Sequence, residues 1–230
     1  MMSKKTLCSL LFFLFVSGCG DSDSDTKKGA DPAESDTTYT VTFTSLWNAT
    51  DHVSVPGNAH FSPLVVSVHN SNHSLFTVGS QASVGLESVA ESGSTAGINA
   101  ELEAEVSAGR VLRSKEAIPN FFFGPGDTVR TFEVSVNKNF PLVSFVSMIA
   151  PSPDWMVGQD GVELYTDAEG FVDDTGVINL FAYDGGTEGA DTAGNYSLSG
   201  TDTVPATNVM RLTGSGFDQP FATIQFVKKN

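Results

Sequence analysis

Apolar and polar residues alternate strictly along several short segments of the chain. Residues 39–44 read Tyr-Thr-Val-Thr-Phe-Thr, and residues 131–136 place Phe132, Val134 and Val136 on one face. A period of two is typical of a β-strand with one buried and one solvated face. Shorter apolar segments, separated by turn-forming residues, predict further strands at 64–68, 75–78, 142–149, 161–165, 176–183, 209–212 and 222–227.

The segment between residues 81 and 115 has a different pattern. Leu86, Val89 and Ala90 recur at helical spacing, and Ser83 is placed to cap the first turn. Residues 100–111 are rich in Ala and Glu and contain no Pro, which favours a second helix. The pattern as a whole predicts an all-β fold, an antiparallel β-sandwich with short inserted helices.

The first eighteen residues have the order of a secretory signal peptide. Lys4 and Lys5 precede an apolar run over residues 7–16, and the small residues Ser17 and Gly18 follow it. The run is too short to span a bilayer as a mature helix. We therefore expect residues 1–18 to be removed as a signal peptide.

Cys19 follows directly, and residues 16–19 resemble the lipobox of bacterial lipoproteins. The resemblance implies that the Cys19 thiol is lipidated and that the protein is anchored to a membrane through the lipid. The alternative is an ordinary cleaved signal that happens to contain a cysteine. Lipoproteins that are retained at the inner membrane typically have Asp directly after the lipidated cysteine, and this chain has Gly20 there. If the protein is a lipoprotein, its expected location is therefore the cell envelope, at the outer membrane.

Composition changes again after the cysteine. Residues 19–37 form a polar, acidic segment without a large apolar side chain before Thr37, which predicts a disordered spacer. The folded domain is expected at residues 38–230, a length that suits one sizeable core. Cys8 and Cys19 are the two cysteines of the chain, and the signal and the lipid account for both. The domain is therefore expected to depend on its core, or on a bound ion, and not on a disulfide.

The chain is strongly acidic, with 27 Asp and Glu residues against 12 Lys and Arg and a formal net charge of −15. Such a surface disfavours nucleic acid and anionic lipid as partners and favours divalent cations. Gly214-Ser215-Gly216 lacks the strand–elbow–helix context of an esterase nucleophile, and the sequence contains no Walker or dinucleotide-binding loop. We therefore expect no enzymatic activity.

One twelve-residue segment carries a specific resemblance. Residues 147–158, Ser-Met-Ile-Ala-Pro-Ser-Pro-Asp-Trp-Met-Val-Gly, are similar to the central motif of the spondin domain named for F-spondin and mindin. Further landmarks follow the order of that family and extend the resemblance over residues 39–228. They are residues 39–43 before Leu46-Trp47, residues 60–64 before His69, residues 81–87 before residues 89–91, and the loop at residues 183–188.

The resemblance implies a C2-like β-sandwich that binds one Ca²⁺ at loops on one end and acts in adhesion or recognition. The family's ligands map onto Asp154, Asp184 and, with a change of residue type, Glu188. The residues agree with that mapping, because Ca²⁺ prefers six to eight hard oxygen ligands and Gly185 and Gly186 allow a tight loop after Asp184. The alternative is that these are ordinary acidic turn residues.

Other residues invite weaker interpretations. His52, His60, His69 and His73 suggest a transition-metal site, but His69 is expected to be a hydrogen-bonded core residue. The four remaining acidic candidates, Asp160, Asp173, Asp174 and Asp191, are expected to be solvated loop residues. The Phe121-Phe122-Phe123 run is expected to anchor a loop, with partner binding as the alternative.

The sequence thus predicts a lipid-anchored, Ca²⁺-binding recognition or adhesion module outside the cytoplasm. Its partners would be the membrane, through the lipid anchor, and an extracellular protein or glycan, without nucleic acid. The alternative is a structural envelope lipoprotein in which the ion only stabilises loops.

Overall fold

The computed structural model describes residues 36–115, 128–189, 193–198 and 202–230. The predictions for the signal peptide, Cys19, the spacer before residue 36, Phe121-Phe122-Phe123 and Asp191 fall outside these ranges. Within them, no helix is long and apolar enough to cross a membrane.

The described residues form thirteen strands and two helices. The strands are β1 (Thr37–Ser45), β2 (His60–Phe61), β3 (Val65–His69), β4 (Val111–Lys115), β5 (Val129–Val136), β6 (Leu142–Ala150), β7 (Trp155–Glu163), β8 (Tyr165–Thr166), β9 (Gly170–Phe171), β10 (Ile178–Leu180), β11 (Ala182–Asp184), β12 (Met210–Arg211) and β13 (Ala222–Lys228). The helices are α1 (Val84–Ser92) and α2 (Ala96–Ser107).

The strands pair antiparallel in two main sheets. One sheet has four strands in the order β10-β13-β1-β5, and the other has seven, in the order β12-β11-β7-β6-β3-β4 with β2 paired to β6. A two-stranded ribbon, β8-β9, stands apart from both. The predicted all-β antiparallel sandwich with two inserted helices is confirmed.

The main core lies between the two sheets. The alternation in β1 buries Tyr39, Val41 and Phe43 completely and leaves the intervening threonines partly exposed. Across the sandwich, Phe226 of β13 meets Phe145 of β6 with ring centroids 6.3 Å apart. The period-two pattern therefore places one face of each sheet in a shared apolar layer.

The seven-stranded sheet is buried on its outer face as well, because the helices cover it. Val65 of β3 and Met156 of β7 pack there with Leu86 and Val89 of α1 and Ile98 of α2. β3 is buried at all five positions and β6 at eight of nine. This double coverage explains why β3 and β6 read as nearly continuous apolar runs, without clean alternation.

The first helix begins where the sequence predicts. The Ser83 Oγ accepts a hydrogen bond from the backbone N–H of Leu86 at 3.1 Å, and Gly93 ends the helix in the left-handed region at φ 68°. The second helix starts and ends about four residues earlier than the 100–111 prediction. Ile98 is one of its buried anchors, and Val111 already belongs to β4.

Three strand predictions are corrected. Residues 75–78 form a loop and not a strand, although Leu75 and Phe76 are buried. The strand predicted at 161–165 is instead β7, which begins at Trp155 within the spondin-like motif. The 176–183 segment crosses between sheets, because β10 pairs with β13 while β11 pairs with β7.

Candidate metal centre

Asp154 lies between β6 and β7, at the end of the seven-stranded sheet. The next residue, Trp155, is the first residue of β7 and pairs with Asp184, the last residue of β11, so Asp154 lies just beyond the strand that neighbours Asp184. Asp154 is completely buried, whereas Asp184 is partly exposed. The β6–β7 connection and the loop after β11 therefore meet around a buried carboxylate.

One oxygen of Asp154 organises the loop after β11. Its Oδ2 accepts hydrogen bonds from the backbone N–H of Thr187 at 2.8 Å, from the Thr187 hydroxyl at 3.2 Å and from the backbone N–H of Glu188 at 2.9 Å. The other oxygen, Oδ1, is buried and accepts no hydrogen bond from the described residues. Asp154 thus holds the loop through Oδ2, whereas its buried Oδ1 can still serve as a ligand for a metal ion.

Two glycines allow the loop after β11 to lie close to Asp154 and to the Thr207 backbone. Gly186 has φ 74°, and a Cβ there would lie 2.7 Å from the Thr207 carbonyl oxygen. A Cβ on Gly185 would lie 3.1 Å from the Asp154 carbonyl oxygen and 3.2 Å from Ala90 Cβ of α1. The loop is therefore held between β7 and the C-terminal part of α1. Asp184 contributes to the same turn, because its Oδ1 accepts from the Gly186 N–H at 2.6 Å.

Three carboxylates come together beside this loop. Glu91, Glu188 and Asp202 each offer an oxygen, and these oxygens all lie within 4.8 Å of one another. Oxygens that share one Ca²⁺ at 2.3–2.6 Å lie at most about 5 Å apart, so the spacing fits a single ion. Glu188 is 8% exposed, and a β-bridge pairs its backbone with Asp202. The donor set consists of hard oxygens, as Ca²⁺ prefers.

Glu91 occupies an unfavourable position for an acid. It lies in the last turn of α1, where the helix macrodipole favours cations, and that turn contains no basic residue. Its Oε1 is buried and accepts no hydrogen bond from the described residues. Burial raises the pKa of Glu91, the Thr187 side chain lowers it by hydrogen bonding, and the charges of Glu188 and Asp202 are among those that raise it further.

The structure places the three predicted ligands around one loop. Glu188 lies within the carboxylate group, whereas Asp154 and Asp184 accept hydrogen bonds from the loop beside it. The sequence analysis did not name Glu91 or Asp202 as candidates, although their carboxylates lie beside Glu188. An acid in the last turn of a predicted helix was a usable signal for Glu91. Asp202 carried no such signal, because only the bridge to Glu188 brings it close.

A cleft of about 400 Å³ opens next to this group. Glu91 lies on its wall together with His60, Met148, Pro151 and Leu198. Met148, Pro151 and Leu198 give this wall apolar surface, and Glu91 adds an acidic group. The carboxylate group therefore adjoins a concave surface that a ligand group can enter.

Among the weaker acidic candidates, Asp160 differs from its prediction as a solvated loop residue. It lies on β7, and its Oδ1 accepts from the Leu75 N–H and from the Ser144 hydroxyl, both at 2.7 Å. It therefore fastens the residue 75–78 loop to the sheet. Asp173 and Asp174 remain exposed, Asp173 in an ion pair with Lys228 and Asp174 in hydrogen bonds that include the Gly176 N–H.

His69 is a hydrogen-bonded core residue, as the sequence predicts. It is 1% exposed, its Nε2 is 2.6 Å from Ser144 Oγ, and its Nδ1 is 2.8 Å from the Asn70 carbonyl oxygen. The His73 ring is close, with centroids 5.0 Å apart. Since both nitrogens of His69 already have partners, the pair is not arranged as a transition-metal site.

The buried ring of His52 is expected to make stability depend on pH. Burial lowers the pKa of His52 below its usual 6.5, against the opposing effects of backbone hydrogen bonds and of Asp51. The unfolded chain therefore binds this proton at a higher pH than the folded chain does. The stability contribution is present above pH 6.5 and is lost as the pH falls through the folded-state pKa.

The variant His52→Phe isolates this effect, because it keeps a ring beside Phe221, 3.9 Å away between centroids, and removes the titrating group. Between about pH 7.5 and about pH 5.5, its urea-derived unfolding free energy should fall less steeply than that of the unchanged chain, by up to about 1.4 kcal/mol per pH unit. Equal slopes for the two proteins would mean that His52 does not titrate in this window.

Comparison with known protein families finds a match to one family model. The Spondin_N family model matches residues 37–225, which include both helices, the carboxylate group and every strand except the last three residues of β13. The match covers most of the chain and agrees with the resemblance based on residues 147–158.

Curated relatives of the same kind align over most of the chain. Spondin-2 of Homo sapiens is 32% identical over 187 residues, covering 79% of this chain and 54% of its own length. Spondin-1 of Rattus norvegicus is 30% identical over 187 residues, covering 80% of this chain and 23% of its own length. Spondin-1 of Gallus gallus is 31% identical over a segment of the same size. The chain therefore spans about half of Spondin-2 and about a quarter of Spondin-1.

Proposed function

Since this chain belongs to the Spondin_N family, we propose that its domain is an extracytoplasmic recognition or adhesion module that binds Ca²⁺ at the end of the sandwich. The similarity to Spondin-2 and Spondin-1 supports a recognition role outside the cell and gives no support for catalysis. The resemblance implies Asp154, Asp184 and Glu188 as the residues that bind the ion.

The observation that carries the proposal is the buried Asp154 carboxylate and the loop that it holds. A buried charge is costly unless hydrogen bonds or a cation compensate it. The Oδ2 of Asp154 has such hydrogen bonds, whereas its Oδ1 has none from the described residues. A bound Ca²⁺ would compensate the remaining negative charge and would fix the loop that carries Glu188.

The cleft beside Glu91 supports a recognition role. A partner group that enters it would meet apolar side chains together with a bound cation. Ordering of the loops by Ca²⁺ would then make partner binding depend on the ion.

The proposal includes the membrane tether that the sequence predicts. Lipidation at Cys19 would hold the domain at the cell envelope through a spacer of residues 19–37. Two or more acyl chains anchor a protein stably, whereas a single chain binds reversibly.

Calcium is expected to raise the melting temperature of this chain. At a free Ca²⁺ concentration about a hundredfold above Kd, the ion stabilises the folded state by about 2.7 kcal/mol. For a domain of this size that corresponds to a rise of about 5–10 °C, measurable by scanning calorimetry with Ca²⁺ and with EGTA. Mg²⁺ at equal concentration is the control, because it demands a tighter octahedral site. Equal melting temperatures in Ca²⁺ and EGTA would contradict the proposal.

A glycan and extracellular-protein array, probed with and without EGTA, tests the recognition role. A partner that is lost on chelation supports the recognition module. Calcium-dependent melting without any calcium-dependent partner would instead support the structural role, in which the ion only stabilises loops.

A further inference from the structure

We infer that residues 48–54 form an acid-released strap, which His52 and Val53 hold closed over a cluster of aromatic rings and which opens when the His52 ring is protonated. The inference concerns the loop after β1 and is independent of the proposed calcium binding. It assigns a pH-dependent conformational change to a part of the chain that lies outside the carboxylate group.

The aromatic cluster lies at the end of the sandwich that carries Asp154. Trp47 directly precedes the strap, and its ring centroid is 4.9 Å from that of Tyr196 and 5.7 Å from that of Phe221. Tyr196 also contacts Trp155, the residue after Asp154, with centroids 5.6 Å apart. The contacts that hold the strap therefore also determine how far these rings are covered.

The His52 ring is the part of the strap that enters the fold. It is completely buried, and its centroid lies 3.9 Å from that of Phe221. Its Nδ1 lies 3.2 Å from both the backbone nitrogen and the carbonyl oxygen of Asn48. Its Nε2 is buried and has no partner in hydrogen-bond geometry among the described residues. The position therefore suits a neutral imidazole, because a buried charge is costly unless hydrogen bonds compensate it.

Two hydrogen bonds from aromatic side chains hold the strap closed. The Tyr196 hydroxyl donates to the His52 carbonyl oxygen at 2.9 Å, and the Trp47 Nε1–H donates to the Ser54 carbonyl oxygen at 3.2 Å. Burial raises the pKa of Tyr196 to about 12, so its hydroxyl keeps the proton that it donates. Neither bond therefore changes between neutral and mildly acid pH.

Val53 makes the closed strap strained. Its φ is 69°, and it is the non-glycine residue with a positive φ in the described part of the chain. This region is unfavourable for a β-branched side chain, and such a conformation persists only where surrounding contacts hold it. The side chain fits against two glycines, since a Cβ at Gly194 or at Gly216 would lie 2.9 or 3.0 Å from its methyl carbons. Opening of the strap would release this strain.

Protonation of His52 favours the open strap. Burial lowers the pKa of His52 below 6.5 and outweighs three backbone groups and one charged side chain that raise it, which are Asn48, Gln219, Pro220 and Asp51. In an open strap the ring is hydrated and its pKa returns to about 6.5. Between this value and the pKa of the closed strap, each unit of decrease in pH raises the ratio of open to closed strap up to about tenfold.

The consequence is an aromatic surface that becomes available in acid. Opening removes the His52 ring from Phe221 and the Ser54 carbonyl from Trp47, at the same end of the domain as the candidate metal centre. Exposed aromatic side chains are typical of surfaces that bind other proteins. The change is local, because β1 pairs with β5 and β13 through residues outside the strap.

Tryptophan fluorescence tests the inference, because Trp47 and Trp155 are the two tryptophans of the chain and both contact Tyr196. As the pH is lowered from about 7.5 to about 5 without denaturant, the emission should shift to longer wavelength. In His52→Phe, which keeps an aromatic ring but does not titrate, the shift should be absent. The matched control is His73→Gln, which removes another buried histidine, beside Glu105 of α2, and should keep the shift.

Hydrogen exchange separates local opening from global unfolding. The N–H groups of His52 and Ser54 donate to the carbonyls of Asn48 and His52 at 3.1 and 2.8 Å. After correction for the intrinsic rate, their exchange should accelerate up to about tenfold per pH unit below about 6.5, while the β1 amides stay protected. Tyr196→Phe removes one bond to the strap and should accelerate the same exchange about fivefold at every pH.

The inference is overturned if the emission does not move between about pH 7.5 and about pH 5, or if His52→Phe shows the same shift as the unchanged chain. It is also overturned if the β1 amides lose protection together with those of the strap. A shift that persists in His73→Gln, is absent in His52→Phe and is accompanied by faster exchange in the strap alone supports it. Calcium titration decides the proposed function separately, so either one can fail without the other.

Discussion

Replacing Asp154 with alanine is expected to destabilise the domain by about 2–5 kcal/mol in the absence of Ca²⁺. The substitution removes the acceptor for the backbone N–H groups of Thr187 and Glu188, which lie 2.8 and 2.9 Å from Asp154 Oδ2. Thr187 and Glu188 are buried at 4% and 8% exposure, so water has little access to replace the lost partner. An unsatisfied buried N–H costs about 1–3 kcal/mol.

Urea unfolding in EGTA measures this effect, and Asp184→Ala is the matched control. Asp184 accepts the Gly186 N–H from a partly exposed position, where water can take over the hydrogen bond. We expect the Asp184→Ala loss to be about 1 kcal/mol. Equal losses of unfolding free energy in the two variants would show that the burial of the Thr187 and Glu188 amides does not add to the cost of removing their acceptor.

Truncation of Trp155 to alanine is expected to cost about 3–5 kcal/mol. Trp155 is completely buried, and its ring packs edge-on against Phe217 at 5.0 Å and Tyr196 at 5.6 Å between centroids. The surrounding sheet can collapse only in part around the cavity that remains, so the loss includes a cavity term as well as the lost transfer free energy. Because Trp155 follows Asp154 directly, the same change should loosen the acidic end of the sandwich.

The comparison for this prediction is Val177→Ala, which truncates a side chain that is 66% exposed and should change stability by less than about 0.5 kcal/mol. Chemical unfolding gives both values, and Trp155→Phe should recover part of the Trp155→Ala loss. A loss below about 1 kcal/mol for Trp155→Ala would mean that the core repacks around this position.

Local features of the chain could be predicted because their causes are local. The alternation of residues 39–44 matches the buried and exposed positions of β1, since side chains of a strand point to opposite faces whatever their partner strand is. Ser83 caps α1 because its hydroxyl needs only a backbone N–H three residues further on. The spondin-like motif at residues 147–158 correctly indicated the family.

Segments whose neighbours decide their structure were harder to predict. Residues 75–78 are as apolar as a strand, but the Leu75 N–H is taken by Asp160 of β7, and the segment forms a loop. The apolar run at 176–183 looks continuous in sequence, yet its two halves pair with β13 and β7 in different sheets. Pattern alone does not specify a partner strand, because pairing depends on residues far along the chain.

For the candidate metal centre, the sequence by itself determined that Asp154 and Asp184 are acidic residues near the ends of predicted strands and that Glu188 lies four residues after Asp184. Only the tertiary structure decided which oxygens meet. The packing of α1 on β6 and β7 brings Glu91 to the loop, and the bridge to Glu188 brings Asp202 there. A cation site needs several oxygens within a few ångströms of one point. Residues 91, 188 and 202 are far apart in the sequence, and their oxygens come that close together only in the folded chain.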